Sequence, residues 1–178
     1  MWRTEIDLGG YVLVLLLATL SLPLAAAPLS RADHAIIMSI AESLKVPRSV
    51  ADRLQIEEAG DRDTGAWGDS EKIGPVGSDG ARCLGLYQLN PLFIAWFLAN
   101  FYPHAPEYFN WRNPIDSAVV GLGYLAWLHA RLGNWYDATC AYNAGKGNVL
   151  SGAVAREARY AGTRAYARRI VEWAGSAE

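Results

Sequence analysis

Apolar residues Ile36, Ile37, Ile40 and Leu44 recur at helical spacing behind Ser30-Arg31-Ala32-Asp33, where a hydroxyl and a carboxylate three residues apart form a capping box. A helix is expected from there to about Lys45, and Pro47 interrupts it. Ser49-Val50-Ala51-Asp52 repeats the capping signal. Val50, Leu54 and Glu57 then share one face of a second helix that stops at Ala59-Gly60. This helix carries a carboxylate on its core-facing stripe.

The stretch from Asp61 to Arg82 is rich in Gly and Asp and keeps no period, which predicts a long, mostly irregular segment of the kind that usually serves function. Pro91 to Phe101 is a strongly apolar helix, and Tyr102 to Trp111 an aromatic connection. Asn113-Pro114 starts a helix with Ile115, Val119, Leu122 and Ala126 on one stripe, ending near Gly133. Asn134 caps another through Tyr142, stopped at Ala144-Gly145-Lys146-Gly147, and a further helix runs from about Thr163 to Trp173. With no repeat and no sustained strand pattern, the expected fold class is all-α, or an α-dominated α+β, in a single domain.

Residues 1–27 stand apart from that domain, which is expected over residues 28–178. Tyr11 to Ala27 is apolar throughout and ends in Ala25-Ala26-Ala27, the small-residue form of a signal-peptidase site. Pro28 after the cut and the acidic Glu5 and Asp7 beside Arg3 favour the alternative of an uncleaved membrane anchor. Either way the chain is expected to be exported, in the periplasm or held at the inner membrane facing it.

Composition narrows the chemistry. In 178 residues a net charge of −2 argues against nucleic-acid binding, which needs clustered Lys and Arg. Seven Trp and nine Tyr suit the apolar faces of sugar rings as well as a core. His34, His104 and His129 are isolated and neither cysteine has a metal-spaced partner, so no metal or other cofactor is expected. Asp61, Asp63 and Asp69 faintly suggest a calcium loop, but Ala66 stands where the turn Gly belongs and Lys72 where the bidentate Glu belongs. An oxidising compartment favours a Cys83–Cys140 bridge over two small buried thiols. What remains is an acid, Glu57 or Glu58, at a helix end. A carboxyl held against apolar side chains keeps its proton near neutral pH and can donate it to a glycosidic oxygen; the alternative is a surface Glu pair.

Three blocks in order then resemble one family. Ile56-Glu57-Glu58-Ala59-Gly60-Asp61 resembles the I-E-S-G-G-[ND] segment of soluble-lytic-transglycosylase (SLT) domains, which belong to the lysozyme-like superfamily. Gly85-Leu86-Tyr87-Gln88-Leu89-Asn90-Pro91 is similar to their G-L-M-Q-[LI]-x-P, and Ala141-Tyr142-Asn143-Ala144-Gly145 to their A-Y-N-A-G. Gly121 to Leu125 and Thr163 to Tyr166 give weaker matches to G-x-x-Y-L and T-x-x-Y. The resemblance spans roughly Ala35 to Trp173 and implies a lysozyme-like domain that cuts peptidoglycan.

In the register set by Ile56 and Gly60-Asp61, the resemblance makes Glu57 the catalytic acid and Glu58 the fallback. It implies that Gln88 bonds a sugar from the groove wall, Tyr87 takes the usual Met position, Tyr142 and Asn143 frame the acid and the N-acetyl group, and Tyr166 lines the groove. It further implies that Glu57 protonates the oxygen between N-acetylmuramic acid (MurNAc) and N-acetylglucosamine (GlcNAc), then acts as base to form a 1,6-anhydro end. The partner is the peptidoglycan strand, in the service of a secretion, conjugation or phage machine. Two alternatives stay open: a hydrolase using Asp61, Asp63, Asp69 or Asp79 as second carboxylate, and a non-catalytic glycan-binding component. Glu58 in place of the family Ser and the long segment before Gly85 are the departures.

Overall fold

The computed structural model describes residues 29–175, apart from 78–79 and 104–108. Residues 1–27, and with them the export segment, lie outside the described residues, as do Asp79 and His104. The helices are α1 (Arg31–Ser43), α2 (Arg48–Glu58), α3 (Pro91–Phe101), α4 (Pro114–Leu132), α5 (Trp135–Ala144), α6 (Lys146–Leu150), α7 (Ala153–Arg156) and α8 (Ala161–Gly175), with a 3-10 turn at Ala158–Tyr160. Two short strands, β1 (Ile73–Val76) and β2 (Arg82–Leu84), complete an α-dominated fold.

The helix starts follow their caps. The side chains of Ser30, Asn90, Asn113 and Asn134 each accept a backbone N–H of the first turn, and Pro91 and Pro114 stand where the missing N–H costs nothing. Gly133 ends α4 at φ 81°, a left-handed conformation that suits glycine. The second capping signal is not used. Helix α2 begins at Arg48, before Ser49, with no side-chain cap, and Asp52 instead takes a hydrogen bond from His34 Nε2 at 2.7 Å. The His34 ring in turn stacks on Trp67 at 3.9 Å, which fixes the start of the Gly/Asp segment against α1.

Helix α4 runs through the middle of the core with Ala118, Leu122, Leu125 and Leu128 wholly buried. It packs on α1 and α5, while α8 packs on α2 and α5. Helices α2 and α8 thus meet along their lengths, which brings residues more than a hundred positions apart into one cluster.

The Gly/Asp segment departs from the irregular expectation. It folds back as an antiparallel ribbon with Ile73 opposite Leu84 and Val76 opposite Arg82. The strands are short, and Gly74 and Pro75 hide them from a reading based on alternation; a two-stranded ribbon is all edge, where proline is tolerated. The short helices between Lys146 and Arg156 were likewise not expected, being too brief for periodicity to show. The expected bridge is not formed: Cys83 and Cys140 are not joined, and Cys140 is sealed among Val154 and Ala167.

Gly121 shows how tightly the motif turn is packed on α4. A Cβ there would come within 2.6 Å of Tyr87 Cβ and Cγ. Gly121→Ala would raise intrinsic helix propensity by about 1 kcal/mol, but the clash lies with the stem of a buried side chain and costs ~1–3 kcal/mol. The expected outcome is a net loss of stability, read as a lower midpoint in thermal unfolding.

Candidate active site

The two adjacent glutamates at the end of α2 point into different surroundings. Glu57 is buried, as its place on the apolar stripe predicts, yet its neighbours are cations and not apolar groups. Arg169 of α8 grips it with two bonds, Nε to Oε1 at 3.0 Å and an Nη to Oε2 at 2.9 Å. Arg53, one turn back on α2, adds a bond to Oε1 at 2.8 Å, and Arg62 Nε lies 3.0 Å from Oε2. Burial raises the carboxyl's proton affinity, but the Arg169 bond and the charges of Arg169, Arg62 and Arg53 outweigh it and hold Glu57 below its ordinary range. Arg53 also lies over the Trp173 ring at 4.9 Å. The expectation of a proton-holding Glu57 against apolar walls is therefore corrected: this is an ionised group tying α2 to α8.

Glu58 has the character expected of the other. Its Oε1 accepts the hydroxyl of Tyr166, three residues before Arg169 on α8. Burial pushes its carboxyl up from 4.5 to about 7, against the downward pull of the Tyr166 hydroxyl, Lys72 and Arg62 and with a small upward push from Glu57. Tyr142, from α5, and Tyr166 are both raised well above ordinary phenols, by burial first and then by the nearby Glu58 charge.

The remaining motif residues serve this pair mostly by architecture. Tyr87 is wholly buried, so its side chain lies in the core and not on a groove wall; its carbonyl accepts the Tyr142 hydroxyl at 2.9 Å. Gln88 is at φ 45° and its amide nitrogen donates to the carbonyls of Gly85 at 2.9 Å and Lys72 at 3.2 Å. That nitrogen is thus engaged in holding the ribbon's entry to the motif turn. Gly74 makes room for it, since a Cβ there would fall 2.3 Å from Gln88 Oε1. Asn143 is exposed and its Oδ1 accepts the Thr163 hydroxyl at 2.7 Å. So α2, α5 and α8 bring Glu58, Tyr142 and Tyr166 together around one carboxyl, with Gln88 and Tyr87 building the turn beneath.

Residues 34–165 fit the family described as "Transglycosylase SLT domain". The chain belongs to that family. Among solved structures, this SLT domain resembles an inactive mutant of the lytic transglycosylase Slt from Pseudomonas aeruginosa, with a TM-score of 0.59 over 79% of this chain and 23% of that one. At 19% identity the likeness establishes the lysozyme-like fold. A curated relative from Alteromonas sp. (strain M-1), named "Putative tributyltin chloride resistance protein", is 37% identical over 67 residues, covering 37% of this chain. The match spans 31% of that relative's length.

The residues missed in the sequence are Arg62, Arg169 and Lys72. Arg53 was missed as well, although its place four positions before Glu57 on one helix was a signal that could have found it. The others arrive from a loop and from α8, and no local pattern announces them.

Glu57 and its arginines make a stability prediction. Glu57→Gln leaves three guanidinium groups without their anion, an event that costs ~3–5 kcal/mol when fully buried. The lower end is expected, because Arg62 and Arg169 keep 56% and 40% of their side-chain exposure. Since the folded carboxyl titrates below its ordinary 4.5, its contribution is complete above that value and disappears as pH falls through the depressed one. Thermal melts should show wild type exceeding Glu57→Gln at pH 7, with the gap closing as pH falls below the ordinary carboxylate range.

Proposed function

We propose that this SLT domain is a peptidoglycan lytic transglycosylase in which Glu58, and not Glu57, is the acid and then the base. The observation that carries this reading is the division of labour at the end of α2: one carboxyl gripped by three arginines and held low, its neighbour bonded to the Tyr166 hydroxyl, close to Tyr142, and raised by burial to about 7. An acid catalyst must hold its proton near working pH and release it to the leaving oxygen, and only Glu58 has that environment.

The Tyr166 hydroxyl occupies Oε1 of Glu58, which leaves Oε2 for the proton in transit. In the first half, Glu58 gives its proton to the oxygen between MurNAc and GlcNAc. The bond from that oxygen to MurNAc C1 breaks, and GlcNAc leaves with a free hydroxyl. In the second half, the Glu58 carboxylate takes the proton of the MurNAc C6 hydroxyl as that oxygen bonds to C1. The ring closes to the 1,6-anhydro sugar, Glu58 is protonated again, and no water is consumed. Tethering of the C6 hydroxyl supplies the entropic advantage of an intramolecular nucleophile.

Two of the four candidates for a hydrolase's second carboxylate are already engaged. The Asp61 carboxylate accepts the N–H groups of Asp63 and Thr64, and that of Asp69 accepts Glu71 N–H, so both hold their own turns. A peptidoglycan substrate accords with export through residues 11–27, and wall opening for a secretion, conjugation or phage machine is the role we assign to it.

Digestion of purified peptidoglycan, with muropeptides read by mass spectrometry, tests the reading. Wild type should release anhydro ends, with a rate that declines as pH rises past about 7 and Glu58 loses its proton. Glu58→Gln should lower the rate by ~10²–10⁴ while remaining folded, whereas Glu57→Gln, which loosens the placement of α8 but leaves the acid itself in place, should fall by less per folded molecule. Reducing ends would overturn the lytic mechanism, and loss of activity in folded Glu57→Gln with retention in Glu58→Gln would overturn the assignment.

A further inference from the structure

The Gly/Asp segment bonds the Glu58 backbone through the side chain of Lys72. Lys72 stands immediately before β1, and its Nζ donates to the backbone carbonyl of Glu58 at 2.7 Å. Its own carbonyl accepts the Gly85 N–H at 2.8 Å and the Gln88 side-chain amide at 3.2 Å. One residue therefore joins the end of α2, the start of the ribbon and the G-L-Y-Q turn.

That position has an electrostatic meaning. The final carbonyls of a helix lack intrahelical partners and carry the negative end of its dipole, so a carboxylate in the last turn is disfavoured. No basic residue lies in the last turn of α2 itself. The cations come from the segment: Arg62 donates to the Glu57 carbonyl at 3.3 Å and is engaged with the Glu57 carboxylate, while Lys72 serves Glu58. The groups facing Glu58 are Tyr166 from α8, Tyr142 from α5, Glu57 from α2, and Arg62 and Lys72 from the segment. Both tyrosines are uncharged in this pH range and Arg62 is shared with Glu57. Lys72 is thus the cation devoted to Glu58.

We propose that Lys72 is a positioning residue for Glu58: it fixes the end of α2 against the motif turn and stabilises the ionised carboxylate that must exist between the two halves of the reaction. The ribbon is then part of the catalytic apparatus, since it holds Lys72 in place. This inference rests on the assignment of Glu58 above. The Coulomb contribution of Lys72 to Glu58 has the direction required, lowering its proton affinity against the larger effect of burial.

The test uses the full chain as wild type, Lys72→Met, Lys72→Gln and Lys72→Arg. Glu58 is titrated by the 13C shift of its labelled carboxyl, and the pH profile of anhydro-muropeptide release is recorded alongside. Removing the charge should move the Glu58 titration and the alkaline limb of the profile upward by about one pH unit, with kcat falling more than KM rises. Lys72→Arg should return both to the wild-type position, and Lys72→Gln, which keeps an amide donor without charge, gives the same upward shift if Lys72→Met does not fold. An unmoved Glu58 titration in a folded, uncharged variant overturns the proposal, as does an arginine variant that behaves like methionine. If wild type releases no anhydro products but the carboxyl titration still shifts, the role of Lys72 stands and the transglycosylase reading fails.

Discussion

The ionic knot around Glu57 is the constraint on which the site depends. Helices α2 and α8 are separated by more than a hundred residues of chain, and their packing alone would allow them to slide or turn by a fraction of a helical step. A bidentate guanidinium bond from Arg169, braced by Arg53 on the same helix as the carboxylate, permits one relative placement. Tyr166 lies three residues from Arg169 and so on the same face of α8, and Glu58 is the next residue after Glu57. Locking one pair sets the other. The contact between the Tyr166 hydroxyl and Glu58 is in this sense a by-product of the geometry that Glu57 enforces.

Two identical side chains thus acquire opposite chemistry because successive residues on a helix diverge by roughly 100°. One turns toward guanidinium groups and is held as an anion; the other turns toward phenols and keeps its proton. The arrangement resembles the general strategy of placing titratable neighbours in environments that push their proton affinities apart. Here, however, the ionised member is occupied with structure, and the chemistry we propose falls to its neighbour.

Much of the fold could be read along the chain, for local reasons. Ser30, Asn90, Asn113 and Asn134 cap helices through contacts within three residues, and Gly133 supplies a left-handed stop, so each boundary is written where it occurs. The ribbon was hidden because seven strand residues containing Gly74 and Pro75 carry no alternation to detect. The choice between Glu57 and Glu58 was hidden for a different reason. Both sit in the last turn of α2, and what separates them is the arrival of Arg62, Lys72, Tyr166 and Arg169 from elsewhere. The direction of the Tyr87 ring was hidden because a motif position says which residue is present and not which way its ring turns; Gly121 opposite leaves room for that ring in the core.

Helix α8 supplies both the guanidinium that locks Glu57 and the hydroxyl that meets Glu58. A chain whose synthesis has passed Glu58, Gln88 and Tyr142 but has not reached Ala161 holds most of the signature residues and lacks the contacts that make Glu58 an acid of the right strength. The finished site appears only when residues 161–175 exist and have docked. Under the proposed function, the order of residues along the ribosome's product withholds the acid until the chain is nearly whole.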